Sequence, residues 1–403
     1  MNTALAWIPC GVTPKNLKEY NATEDEMNRY IAVIEGKWQQ TPEIQASVSN
    51  EDAEIIARYD FDNYDNDDET VPAEIEPNDP YQQAPIQENA QDEDQDDDNI
   101  NSDDFLLIVG KNFQGEPSIE IQLYDQVDSY YTHHEIMVAT PPLAIEWIDF
   151  DTKTGGTGSF AAIASMWPHI EIIDLNVKDP ICPQAVIRFH EDAVPGLSWN
   201  ILQRSLILSA SIDKMTAVFS LDRIEMQVGS KEKPVVCFDV GFPCHDAAWS
   251  PSNVSQFAIA SSSGLRAYDA RQGPAFCVLD GVKTESLSWS IDGTQIITSL
   301  ESGQVTAFDM RNLTSPLFSF NAHNGQASSL SVCRSAPIVA TVGEDRFCRI
   351  WNLSQQQPIL LAENNMGLGE LFTCRFCPDR PTLLAIGGET GTELWDIGNL
   401  LEQ

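Results

Sequence analysis

Basic residues are scarce in this chain of 403: 23 Lys and Arg stand against 61 Asp and Glu, for a formal net charge of −38 and a pI near 4.2. A field of that sign repels polyanions, and affinity for phosphate comes from clustered Lys and Arg, so broad phosphate binding is disfavoured and any RNA contact is expected to be local. Long apolar runs are missing too. None approaches the roughly 18 residues of a membrane span, and no basic, apolar leader opens the sequence, so a soluble, unsecreted protein with no membrane partner is expected. Cysteines number nine, odd and irregularly spaced, which fits a reducing compartment better than a disulfide framework. Cys374 and Cys377 form a CxxC without a second pair, on a stretch that reads as a strand, where positions three apart face opposite sides; no metal is expected there.

Catalytic signatures are also lacking. There is no nucleophile elbow, HExxH or Walker loop, and the acidic run is too irregular for a calcium loop. The glycine cluster from Thr154 to Ser159 is followed by the apolar run Phe160–Ser165, a strand, whereas a phosphate cradle needs a helix N-terminus; a hairpin turn is the reading. Asp149 and Asp151 read as a solvated turn. The expectation is a protein that is not an enzyme and holds no cofactor.

What is present is organised around residues 321 to 353. Three apolar segments of strand length, Ser329–Val332, Ile338–Val342 and Phe347–Trp351, are separated by short polar turns, the pattern of a β-meander. His323 precedes the first strand, Thr341 is on the second, Asp345 is in the next turn and Trp351 closes the third. That set resembles the His–Ser/Thr–Asp–Trp hydrogen-bond tetrad of a WD-repeat propeller blade, which satisfies polar groups that blade packing would otherwise bury unpaired.

One blade cannot bury both its faces, so copies are required. The closing strand recurs at Asp125, Asp174, Ser220, Asp269, Asp309, Asn352 and Asp396, at intervals of 49, 46, 49, 40, 43 and 44 residues. In phase with it, Trp147, Trp199, Trp249 and Trp289 end the first strand of successive repeats, with Val332 and Phe376 in the same slot later. Seven closures predict an all-β, seven-bladed WD-repeat propeller. Blade three carries His190, Ser209 and Asp213 at the tetrad offsets, with Phe219 where the Trp would be. Blade four is further off: Ser262 and Gly264 occupy its turn, and His245 lies only four residues before Trp249. Degenerate tetrads leave apolar packing to hold most blades.

The first blade is interrupted. Residues 1–10 supply its first strand, whereas its second and third strands, Phe105–Gly110 and Ser118–Asp125, belong to the body at 105–403. Within 11–50, Thr23-x-x-Glu26 is a capping box, and Met27, Tyr30, Ile31, Ile34 and Trp38 recur at helical spacing, predicting an amphipathic helix over about 24–39. It packs on the flank of the body or binds a partner. Residues 51–104 hold 21 acidic residues against Arg58 and four prolines, leaving −18 on the remainder of the chain, and are expected to be mostly disordered. Their island at 54–65, with Tyr59, Phe61 and Tyr64, either supplies the outer strand that the last blade lacks or orders on a partner.

The opening LAWIPCGV, the acidic insertion containing YDFDNYD and the recurring first-strand tryptophan together resemble the periodic tryptophan protein 1 family, over essentially the whole chain. The resemblance implies a nuclear and nucleolar scaffold or assembly factor for maturation of the large ribosomal subunit and rRNA processing, and in some lineages a chromatin role at ribosomal genes. Its partners would be ribosomal or pre-ribosomal proteins within a pre-large-subunit particle, with local pre-rRNA contact and a histone or chromatin contact also open, and the protein a monomer in that complex. A second reading comes from Asp269–Ala270–Arg271 and Asp309–Met310–Arg311, which resemble the WDxR box of substrate receptors of cullin-type ubiquitin ligases; the plainer reading of Arg271 and Arg311 is a local ion pair. Trp167 and His169 fall on a turn of blade two. An aromatic there either forms part of a binding face or is covered by a neighbouring loop.

Overall fold

A computed structural model describes residues 1–20, 23, 24, 26, 27, 30, 100–125, 127, 129–224, 231–271, 273–313, 315–355 and 357–401. The island at 54–65, with Tyr59, Phe61 and Tyr64, lies outside them, as does most of the acidic insertion and of the helix expected over 24–39.

Seven antiparallel sheets follow one another along the chain. Blade one joins Asn2–Ile8 to Phe105–Phe113, Glu116–Tyr124 and Tyr130–Met137, so the N-terminal strand pairs with a segment almost a hundred residues later. The first strands of the next six blades are Pro142–Phe150, Gly196–Trp199, Cys244–Trp249, Thr284–Trp289, Ala327–Val332 and Leu371–Phe376. Blades one to six have four strands each. Blade seven has three among the described residues, ending in Thr392–Asp396.

The seven first strands line a narrow central channel of about 220 Å³ and so form the inner wall of the ring. Behind them the middle strands read as nearly continuous apolar runs, such as Leu106 to Val109 and Ile338 to Val342, because each sheet is covered on both faces by its neighbours. The core is therefore a succession of interblade layers. Ile148, Phe160 and Ile172 of blade two pack with Leu197, Ile207 and Phe219 of blade three, and Leu208 and Val218 of blade three with Trp249 and Phe257 of blade four. The N-terminal strand closes the ring. Leu5 and Trp7 pack with Leu383 and Ala385 of blade seven, Asn2 Nδ2 donates to Thr392 Oγ1 (2.5 Å), and the Cys10 backbone N–H donates to Asp379 Oδ2 (2.9 Å).

Ahead of the insertion the chain lies against blade two. Lys18–Glu19 pairs in parallel with Val177–Lys178. At the predicted capping box the Thr23 N–H donates to Glu26 Oε2 (3.1 Å) and the Glu26 N–H to Thr23 Oγ1 (3.3 Å), while Met27 N–H reaches the Thr23 carbonyl. Residues 24, 26, 27 and 30 are helical, and the Tyr30 hydroxyl donates to Glu171 on a strand of blade two (3.3 Å). No helix among the described residues is long and apolar enough to cross a membrane.

Candidate functional site

The polar chain of blade six runs in one direction. The Trp351 indole N–H donates to Thr341 Oγ1 (3.0 Å), the Thr341 hydroxyl to His323 Nε2 (2.9 Å), and His323 Nδ1 to Asp345 Oδ1 (2.8 Å). Arg349 and the Asn324 N–H donate to the other Asp345 oxygen, at 2.7 and 3.1 Å. Burial opposes the charge on Asp345, but the hydrogen bonds from His323 and Arg349 outweigh it and hold its carboxyl below the ordinary value. Burial pushes His323 down despite the carboxylate, which keeps the imidazole neutral and lets Nε2 accept. Gly343 is required beneath this network: a Cβ there would stand 2.5 Å from the Gln326 carbonyl oxygen and 2.9 Å from the His323 ring.

Blade three has the shortened version. Ser209 donates to His190 Nε2 (2.7 Å) and His190 Nδ1 to Asp213 (3.0 Å), while Phe219 packs against Phe189 instead of donating. In blade four the hydroxyl of Thr284, from the next blade, takes the place of a histidine: it accepts from the Ser261 N–H (2.8 Å) and faces the Ser261 and Gly264 carbonyls, both at 3.0 Å. His245 sits half-buried on the inner strand, with no partner for Nε2.

The first-strand tryptophans have a role that their spacing did not disclose. Trp7 donates to the Arg375 carbonyl (3.0 Å) and Trp289 to the Ala248 carbonyl (3.1 Å), in each case reaching the inner strand of the preceding blade; around the ring, blade seven precedes blade one. Trp147 and Trp199 donate within their own blades, to Ser159 Oγ (3.1 Å) and the Arg204 carbonyl (2.8 Å), and their rings meet edge to face at 5.7 Å. Hydroxyls beside the tryptophan slot add a second set of links: Ser198 accepts from the Trp249 N–H and Ser331 from the Phe376 N–H, both at 3.1 Å. The signal that could have shown these links is the small hydroxyl residue just before the slot, at Ser198 and Ser331.

Of the two carboxylates read as a solvated turn, one is placed differently by the structure. Asp149 does not end in a solvated turn: Arg204 of blade three donates to its carboxylate (2.6 Å) and to its carbonyl (2.9 Å), tying blades two and three. Asp151 stays in its own turn, accepting from Thr154 (2.6 Å) and Gln184 (2.7 Å). Inside the channel, burial raises the pKa of both Glu146 and Asp246; Arg375 lies 3.5 Å from Glu146, and Ser286 and the Leu287 N–H serve Asp246 at 2.8 and 3.0 Å.

The candidate surface residues scatter. Trp167 is half-buried with its ring 5.2 Å from His169. His169 is itself buried and bonded to Glu171 (3.2 Å), so it is a structural residue of its strand and not a surface contact. Arg311 grips Asp309 in a two-pronged ion pair (2.9 and 2.7 Å). Arg271 gives Asp269 only its backbone N–H (2.9 Å), and its exposed side chain lies on the wall of a groove between blades three and four. Cys374 and Cys377 are buried free thiols, the first pushed up to about 12 by burial, and no group of three or more potential metal ligands occurs among the described residues.

A ring of seven blades, with a complete tetrad in blade six and a shortened one in blade three among the described residues, defines a WD-repeat β-propeller. The chain is 26% identical over 372 residues to Periodic tryptophan protein 1 homolog of Drosophila melanogaster, covering 85% of this chain and 78% of that protein. It is 21% identical over 394 residues to Periodic tryptophan protein 1 of Saccharomyces cerevisiae, covering 79% and 67%, and 28% identical over 320 residues to an uncharacterized WD repeat-containing protein of Schizosaccharomyces pombe, covering 73% and 61%. No protein-family model matches. The chain is a WD-repeat protein homologous to periodic tryptophan protein 1 over most of its length.

Proposed function

We propose that the protein is a non-enzymatic scaffold in ribosome biogenesis that holds basic ribosomal or pre-ribosomal proteins of the large subunit in the nucleolus. The family relationship supports the process, and the observation that carries a scaffold role is an apolar rim on one face of blades one and two. Phe113 at a hairpin tip, Met137 at the end of the outer strand and Met166 on the matching hairpin of blade two are 56%, 66% and 59% exposed. Three large apolar side chains at one rim, flanked by exposed Glu116 and Glu135, suit a partner with apolar anchors and Lys or Arg around them. The acidic insertion extends the idea: a polyanion competes with RNA for such partners and releases them as salt screens it beyond about 8 Å.

Affinity purification from nuclear extract tests the reading, with depletion followed by analysis of rRNA precursors. Large-subunit proteins in the eluate and an accumulating large-subunit precursor are expected. Replacing the carboxylates of residues 66–100 by amides is expected to weaken capture of basic proteins at low salt. Dominance of cullin-ligase adaptor subunits, or of histones, would replace the reading by a ubiquitin-ligase or chromatin role.

A further inference from the structure

The closing strand of blade seven is less covered than its counterparts. In blades two to six the last two apolar residues of that strand are buried, as with Val218 and Phe219, Ala307 and Phe308, or Ile350 and Trp351. In blade seven Leu394 and Trp395 are half-buried, and Glu393 and Asp396 beside them are exposed. Thr392–Asp396 is paired on one side only among the described residues, so its other edge turns a row of backbone N–H and C=O groups outward.

Two regularities of the other blades define what fits that edge. The outer-strand residue opposite the position three before the closing aromatic sends its ring to the next blade: Phe238, opposite Thr216, lies 5.2 Å from Tyr268 of blade four, and Phe320, opposite Val305, lies 4.5 Å from Trp351 of blade six. In blade seven this position is Thr392. It faces blade one, where Asn2 donates to its hydroxyl (2.5 Å) and Tyr124 is the closing aromatic. The position two before the aromatic carries a cross-strand pair: in blade six Arg349 stands opposite Glu363 and donates to it (3.1 Å). Blade seven has Glu393 there, which makes no ion pair among the described residues, whereas Asp396 is matched by Arg380 (2.5 Å).

We propose that this edge accepts an extended strand of a partner protein in which Arg or Lys is followed directly by an aromatic residue. Main-chain hydrogen bonds to Thr392–Asp396 hold the strand, the cation stands opposite Glu393 as Glu363 stands opposite Arg349 with the charges exchanged, and the ring rests against Tyr124. The exposure of Glu393 and Asp396 in the structure of the whole chain assigns the strand to another molecule. The site is separate from the rim of blades one and two, which offers apolar side chains where this edge offers backbone.

The test uses the full chain and a short fluorescein-labelled peptide centred on Val-Arg-Phe-Asn, of zero net charge so that the acidic insertion does not capture it, titrated by fluorescence anisotropy. Saturable binding is expected. Glu393→Arg is expected to melt like the parent and to weaken binding by about fivefold, and a peptide with Glu in place of Arg is expected to bind that variant better than the parent. Methylation of alternate peptide nitrogens is expected to abolish binding, and the unmethylated peptide to slow amide exchange at residues 392–396. Absence of saturable binding, an affinity indifferent to Glu393→Arg or to methylation, or unchanged exchange at residues 392–396 would each overturn the proposal. So would much tighter binding after deletion of residues 54–65, which would give the edge to the chain's own island.

Discussion

Blades six and four solve one packing problem with different chemistry. In blade six a line of four side chains from Trp351 to Asp345 satisfies every buried polar atom along it, with Arg349 completing the carboxylate. Blade four has no such line. Phe257 stacks on Tyr268 at 5.2 Å with the planes 7° apart, Trp249 meets Phe257 edge-on at 5.2 Å, and Phe238 of blade three lies 5.2 Å from Tyr268. Four rings thus join two blades where blade six uses hydrogen bonds within one. The difference teaches that a propeller needs each blade filled and satisfied, by a polar network or by apolar rings, and that the polar solution alone carries a pH dependence.

The comparison breaks first if the rings are dispensable. Phe257 is fully buried, so Phe257→Ala is expected to cost about 3–5 kcal/mol, as much as Trp351→Ala in blade six. Guanidinium unfolding of both variants checks this; a loss below about 1 kcal/mol for Phe257→Ala would show that something else holds blade four.

Asp345→Asn sharpens the contrast at an intermediate level, with an expected loss of about 1–3 kcal/mol near neutral pH. The folded-state pKa of Asp345 lies below its unfolded value, so its contribution is complete above the unfolded pKa and is lost as pH falls through the folded one. His323 acts in the same sense, since its folded pKa is lowered: below about pH 6.5 the unfolded chain takes up a proton that the folded one refuses. Melting temperatures of parent and variant should therefore converge as pH is lowered. A constant gap from pH 7 to pH 3 would remove the carboxylate from the explanation. The corresponding change in blade four, Thr284→Val, leaves the Ser261 N–H unserved at an expected cost of about 1–2 kcal/mol and with no pH dependence.

Blade six was legible in the sequence because its four partners are side chains of distinctive type at fixed offsets. Blade count was legible for a related reason: the closing strands and the tryptophan slot repeat in one phase. Much of the interblade bonding was not, because its acceptors are main-chain carbonyls such as those of Ala248 and Arg375, which leave no mark on residue type. The Arg204–Asp149 tie escaped because the two lie 55 residues apart in different blades, and a turn carboxylate looks the same whether its partner is water or arginine. The ring cluster of blade four was hidden in a different way. Phe238, Phe257 and Tyr268 read as ordinary strand aromatics until the sheets bring them together.

The finest comparison sets two tryptophans of the same slot against each other. Trp249 and Trp289 are each 6% exposed at the end of an inner strand, but Trp289 donates to the Ala248 carbonyl and Trp249 to nothing. Replacing either by Phe removes a similar apolar area, so that loss cancels in the difference. What remains is the hydrogen bond, and Trp289→Phe also leaves the Ala248 carbonyl without its indole donor, whereas Trp249→Phe removes a donor that was unsatisfied already. Trp289→Phe is therefore expected to be the more destabilising by about 1 kcal/mol. Parallel denaturant titrations of the two variants measure that gap. Equal losses would mean that the periodic tryptophans act through packing alone, and that the unpartnered N–H of Trp249 is no different in kind from the bonded ones.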